Sequence, residues 1–236
     1  MIHTTAQGRK LAYEHAAGPG PSLVFLGGFG SDMTGTKAAH LAAWAQGRDF
    51  LRFDYSGHGQ SSGKFEDGCI SDWAQDAADI LTLARPPYTL IGSSMGGWIA
   101  LLLARQIPEK IARLITIAAA PDFTEDLMWP GFSDAQKLEL MTNGALQIPS
   151  DYGPPQTITR RLIEDGRNNL VLNQPLHLPF PTDFLQGTQD ADVPMTHALR
   201  LLHHAKGPEL RLTLVKDADH RFSSPVCLDL ITQTLR

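Results

Sequence analysis

The chain has 236 residues, 42% of them hydrophobic and 19% charged, with a formal net charge of −5. That balance supports a packed core and fits one domain, and without any basic run it gives nucleic acid nothing to bind. The longest apolar stretches, Trp98–Ala104 and Leu114–Ala120, fall well short of the ~20 residues that cross a bilayer.

The N-terminal residues Met1–Thr5 carry neither the charged and apolar regions of a secretion signal nor an Arg-rich amphipathic pattern, so a cytoplasmic location is expected. Cys69 and Cys227 stand far apart with no His or Cys neighbour at metal spacing. They are expected to be reduced and structural, and neither metal nor cofactor is expected.

The chain opens with a polar hairpin, Thr4–Gln7 and Leu11–His15 turned at Gly8 and Arg9, and Gly18-Pro19-Gly20-Pro21 breaks it before the first buried strand, Leu23–Leu26. A helix over Thr36–Trp44, a strand over Phe50–Phe53, a Gly-rich loop and a helix over Ile70–Leu83 follow, with Ser71 and Asp72 as candidate caps. Next come a strand over Tyr88–Ile91, an apolar helix over Gly96–Gln106 and a β-branched strand over Ile111–Ile117. The last elements are a strand over Thr182–Leu185, a helix over Met195–His203, a strand over Leu210–Val215 and a helix over Val226–Leu235.

This alternation predicts an α/β fold with a mostly parallel central sheet and helices on both faces. The stretch Asp122–Leu178 breaks the rhythm: Trp129, Pro130, Phe132, Pro149, Pro154, Pro155 and Pro175 interrupt short amphipathic pieces such as Ala135–Met141. It reads as a small cap inserted into a single domain spanning 1–236.

The sharpest chemical signal is Gly92-Ser93-Ser94-Met95-Gly96, a G-x-S-x-G sequence directly between a predicted strand and a predicted helix. A turn that tight holds its central residue in a strained conformation, and glycines at 92, 96 and 97 would let strand and helix approach. A serine hydroxyl is a weak nucleophile until a base takes its proton and a third group orients that base.

His220 follows the strand ending at Val215 and would emerge at the same carboxyl edge of the sheet. Asp190 follows the strand Thr182–Leu185 and is the preferred acid, since the order Ser, acid, His is that of the α/β-hydrolase fold; Asp192 and Asp122 are alternatives. The backbone amides of Met95 and Phe29 are the candidate oxyanion donors, Phe29 lying in Gly27-Gly28-Phe29-Gly30 after the first buried strand. His58 reads as part of a turn, His203 and His204 as a solvated helix end, and Met128, Trp129 and Phe132 fit either cap core or acyl pocket.

Gly92–Trp98, the run Arg52-Phe53-Asp54-Tyr55-Ser56-Gly57, Gly35-Thr36-Lys37-Ala38 and Asp219-His220-Arg221 together resemble the α/β-hydrolase family of mitochondrial palmitoyl-protein thioesterase and mycophenolic acid acyl-glucuronide esterase. The resemblance extends over nearly the whole chain. It implies cofactor-free hydrolysis of S-acyl thioesters or carboxylic esters, with a small-molecule ester or an acylated protein as substrate, and supports Ser94, Asp190 and His220 as a triad. Gly27 stands where many members of the fold carry His. A peptidase or acyltransferase on the same triad, or a non-catalytic binding protein, are the alternatives.

Overall fold

The computed structural model describes residues 1–149 and 155–236. Pro154, one of the expected cap breakers, lies outside the described residues. In chain order the elements are β1 (Ile2–Thr4), β2 (Lys10–Ala16), β3 (Ser22–Leu26), α1 (Thr36–Trp44), β4 (Phe50–Phe53), α2 (Ile70–Leu81), β5 (Tyr88–Ser93), α3 (Met95–Gln106) and β6 (Ile111–Ile117). They continue with α4 (Trp129–Gly131), α5 (Asp134–Asn143), β7 (Ala145–Ile148), β8 (Gln156–Thr159), α6 (Arg160–Asn168), β9 (Thr182–Gly187), α7 (Met195–His204), β10 (Leu210–Val215) and α8 (Pro225–Thr234).

Among the described residues the main sheet has eight strands in the order β1-β2-β4-β3-β5-β6-β9-β10. Pairs β1·β2 and β2·β4 are antiparallel and all others are parallel. Along β3 the side chains alternate between two apolar clusters: Val24 and Leu26 pack with Trp73, Trp98 and Phe184, whereas Leu23 and Phe25 pack with Leu41, Phe222 and Ile231. Helices α2, α3 and α7 therefore cover one face and α1 and α8 the other. This is the α/β-hydrolase architecture.

The sheet order reverses at β3, since β4 lies on one side of it and β5 on the other. Such a switch point leaves a crevice beyond the carboxyl ends of β3 and β5, where ligands of open α/β sheets bind. The segments following these two strands hold Phe29 and Ser94.

Several expected boundaries move. The first hairpin strand is Ile2–Thr4, because Thr5–Arg9 close as a turn with Gly8 at φ 81°. Helix α2 is capped by neither Ser71 nor Asp72. Both already lie inside its first turn, the N-cap is Cys69 in extended conformation, and no side chain caps it. Ser71 instead donates to Asp165 of α6, and Asp72 pairs with Arg161 at 2.7 Å. The helix ends at Leu81 rather than Leu83, where Thr82–Ala84 tighten into turns.

The segment between β6 and β9 holds more order than its prolines suggest. Ser133 and Gln136 form a reciprocal capping box at the start of α5, and Gly144 at φ 82° ends that helix. The antiparallel pair β7·β8 was not expected from the sequence. Helix α6 turns Leu162, Ile163 and Gly166 inward, and a Cβ at Gly166 would sit 2.1 Å from Thr124 Oγ1. The return toward β9 is pinned by α3: Trp98 Nε1 donates to the Asn169 carbonyl at 3.0 Å and Arg105 to that of Leu170 at 3.1 Å.

Candidate active site

Ser94 sits at φ 54°, ψ −119°, a strained conformation for a residue with a Cβ. Three contacts show why glycines surround it. A Cβ at Gly96 would lie 2.1 Å from the Leu26 carbonyl oxygen, one at Gly92 2.4 Å from that of Gly96, and one at Gly97 2.7 Å from the Ala119 Cβ. The turn is tied to β6 by Ser94 N–H donating to the Ile117 carbonyl at 2.9 Å.

His220 brings the expected residues together. Its Nε2 lies 3.0 Å from Ser94 Oγ and its Nδ1 lies 2.8 Å from Asp190 Oδ2. Asp190 is buried, and its second oxygen accepts the N–H groups of Val193 at 2.7 Å and Asp192 at 3.0 Å. Asp192 thus contributes its backbone to the orientation of Asp190. The alternative acid, Asp122, is used elsewhere: its two oxygens accept the Val171 and Leu172 amides, each at 2.8 Å. Burial nevertheless pushes its pKa up.

Residues to which the sequence assigned no catalytic role complete this arrangement. Gln186, buried on β9, donates through Nε2 to Asp190 Oδ2 at 2.8 Å and to the Val193 carbonyl at 3.0 Å, so it holds the acid from behind. The acid loop and the histidine loop interlock through Gln189 N–H to the Ala218 carbonyl at 3.0 Å and Asp217 N–H to Thr188 Oγ1 at 2.9 Å. A Cβ at Gly187 would meet the Ala218 oxygen at 2.2 Å, which explains the glycine. From α1, Lys37 donates to the Arg221 carbonyl at 2.5 Å. Burial, partly offset by Asp219 and Cys227, lowers the Lys37 pKa to about 8.

Phe29 follows a backbone that lies against the serine: a Cβ at Gly28 would be 3.3 Å from Ser94 Cβ. Its ring packs edge-on against Phe65, Trp73 and Phe123. Met95 begins α3 and is buried. Among the described residues neither the Phe29 nor the Met95 amide donates a hydrogen bond, so both remain available to a substrate oxygen.

Other candidates resolve differently. His58 is buried, and its Nε2 accepts the Gly30 N–H at 3.2 Å. Phe132 joins the apolar core, while Trp129 packs on Phe132 and under the Arg167 guanidinium at 4.7 Å. His204 bonds the Gln174 carbonyl and His203 is exposed. Ligating atoms of Asp190, Asp192 and His220 come within 4.8 Å of one another. The Asp190 and His220 atoms are, however, already committed to each other and to Ser94. Cys69 and Cys227 are both buried free thiols, and burial lifts the pKa of Cys69 to about 12.

Comparison with known proteins agrees with this fold. The family described as serine aminopeptidase, S33, matches residues 19–160. The rat mitochondrial palmitoyl-protein thioesterase ABHD10 is 32% identical over 231 residues, covering 96% of this chain and 77% of that protein. A solved structure from Agrobacterium vitis S4, provisionally called a hydrolase, is 41% identical with a TM-score of 0.94, covering 100% of this chain and 95% of that one. The mouse α/β-hydrolase domain-containing protein 10 superposes with a TM-score of 0.91 at 30% identity, covering 100% of this chain and 96% of that one. With its fold and sequence matched over nearly its whole length, the chain belongs to the α/β-hydrolase family, in the branch of the palmitoyl-protein thioesterase ABHD10.

Proposed function

We propose that this hydrolase cleaves carboxylic esters or S-acyl thioesters through an acyl-enzyme on Ser94. The observation that carries the reading is the single imidazole of His220 within hydrogen-bond reach of both Ser94 Oγ and Asp190 Oδ2. In this reading His220 Nε2 takes the Ser94 proton as Oγ bonds to the acyl carbon. The amides of Met95 and Phe29 hold the resulting oxyanion. Collapse of the intermediate breaks the bond to the alcohol or thiol, which leaves with the proton from His220. Water, deprotonated by the same imidazole, then attacks the acyl-enzyme and releases the acid. Asp190 keeps the Nδ1 proton in place and stabilises the imidazolium.

The names of the relatives favour acylated cysteine as the substrate class, whereas the family description favours amides as the second reading. The same acyl-enzyme forms from either. Initial rates on p-nitrophenyl esters, S-acyl cysteine peptides and amino-acid p-nitroanilides of matched acyl length separate these, with Ser94→Ala alongside. Ser94-dependent turnover of esters and thioesters is expected. Turnover confined to the anilides would replace this reading by the peptidase, and full activity of Ser94→Ala would exclude both.

A further inference from the structure

We infer that His58 is a positioning residue for the oxyanion loop: it grips the Gly30 amide, and so fixes the neighbouring Phe29 N–H beside Ser94. This rests on the Ser94 mechanism proposed above. The segment after β3 is anchored on three sides. The Phe29 ring is wedged among Phe65, Trp73 and Phe123, the Gly30 N–H reaches His58 Nε2, and the Met33 N–H donates to the buried Asp54 carboxylate at 2.7 Å. Among the described residues the Phe29 amide donates to no acceptor, the state an oxyanion donor needs.

The tautomer of His58 follows from its partners. Nε2 faces an N–H and so must accept, which leaves Nδ1 to donate to the Ser56 carbonyl at 3.1 Å. Burial lowers the pKa of His58, favouring the neutral ring that this pairing needs, although Asp54 and Asp76 oppose it. The ring itself cannot drift, because Tyr55, Phe65 and Trp73 meet it edge-on with centroids 5.1 to 5.7 Å away. Ser56 is fixed in turn: its N–H and Oγ donate to Asp76 Oδ2 at 2.8 and 2.6 Å, and its carbonyl accepts Trp73 Nε1 at 3.1 Å. Arg9 closes the chain on the other Asp76 oxygen at 2.6 Å. A rigid path thus runs from Arg9 and α2 through the turn at Ser56–His58 to the loop that carries Phe29.

Two substitutions separate the halves of this bracket. In His58→Asn the amide occupies the Nδ1 position, keeping the Ser56 bond and losing the Gly30 acceptor; in His58→Gln the side-chain oxygen reaches the Nε2 position and can accept from Gly30. Each is compared with wild type and Ser94→Ala on one p-nitrophenyl ester and one boronic acid of the same acyl group, after matching folded fractions by circular dichroism. His58→Asn is expected to lower kcat about tenfold to a hundredfold with KM nearly unchanged, less than the loss of a whole oxyanion donor, and to weaken the boronic acid by a similar factor. His58→Gln is expected to recover most of both losses. Equal kcat in His58→Asn and wild type, or a loss confined to KM, overturns the inference; so does a folded His58→Gln as impaired as His58→Asn. Ester hydrolysis that persists in Ser94→Ala would instead strike at the catalytic reading itself.

Discussion

At the scale of single residues, Asp190 and Asp122 are chemically alike, both buried acids at the carboxyl edge of the sheet, and differ only in what their oxygens meet. Asp190→Asn is expected to lower kcat by about a thousandfold or more, because an amide cannot hold His220 in the required tautomer. Asp122→Asn is expected to leave kcat within a few-fold. Steady-state kinetics of the pair decide which acid serves His220, and the reverse ranking would exchange their roles. Lys37 carries a different tension: its ammonium braces the histidine loop, yet burial has lowered its pKa from 10.5 to about 8. A lysine whose folded pKa lies below its unfolded value destabilises the fold fully below pH 8, and the penalty fades as pH rises to about 10.5. Lys37→Met is therefore expected to raise the melting temperature at pH 7, where the penalty is at most about 3 kcal/mol, while lowering kcat. Its advantage should shrink in melts run from pH 8 to 10; a gap independent of pH would contradict this account.

At the scale of elements, the strand-to-helix elbow and the β6–β9 segment depend on different contacts. Gly96→Ala would drive a methyl group into the Leu26 carbonyl, a backbone atom of β3 that cannot step aside. A fall in melting temperature of ten degrees or more, or insoluble protein, is expected, together with loss of Ser94 reactivity toward a fluorophosphonate. The β6–β9 segment is instead latched at its exit, where Asp122 takes the Val171 and Leu172 amides while Trp98 and Arg105 hold the preceding carbonyls. Asp122→Ala strips acceptors from two buried donors, at a cost of about 2 kcal/mol or more. Denaturant unfolding measures that cost, and no change in midpoint would mean water replaces the carboxylate freely.

At the scale of the whole molecule, stability is layered. Strands β3, β5 and β9 are buried along their entire lengths between the two apolar clusters. Helix α5, by contrast, buries only Leu140 and exposes Leu138. Amide hydrogen exchange is expected to be slowest in the three strands and markedly faster in α5 and β7, with the elbow amides among the slow set. Equal protection of α5 and β5 would mean that the β6–β9 segment opens only when the core does. Ser94 thus stands at the end of one of the most deeply buried strands, whereas the elements around α5 are packed more weakly.

Much of this was legible in the sequence for local reasons. Short apolar and β-branched runs, helical patterns and the turn residues between them located nearly every strand of the main sheet and the helices that cover it, and the glycines around Ser94 announced a tight elbow because no other residue fits between crossing backbones. The order of nucleophile, acid and base along the chain likewise pointed to Asp190 and His220, with Asp122 and Asp192 as alternatives. What the sequence left open depended on partners distant in the chain. Whether Asp122 or Asp190 faces the imidazole, why Lys37 and His58 are where they are, and how Ser71 and Asp72 serve α6 rather than cap α2 follow from contacts spanning up to 184 positions. A hydrogen bond leaves no trace in local periodicity, so only the folded chain, by bringing β3, β5, β9 and β10 to one edge, decided which polar side chains meet.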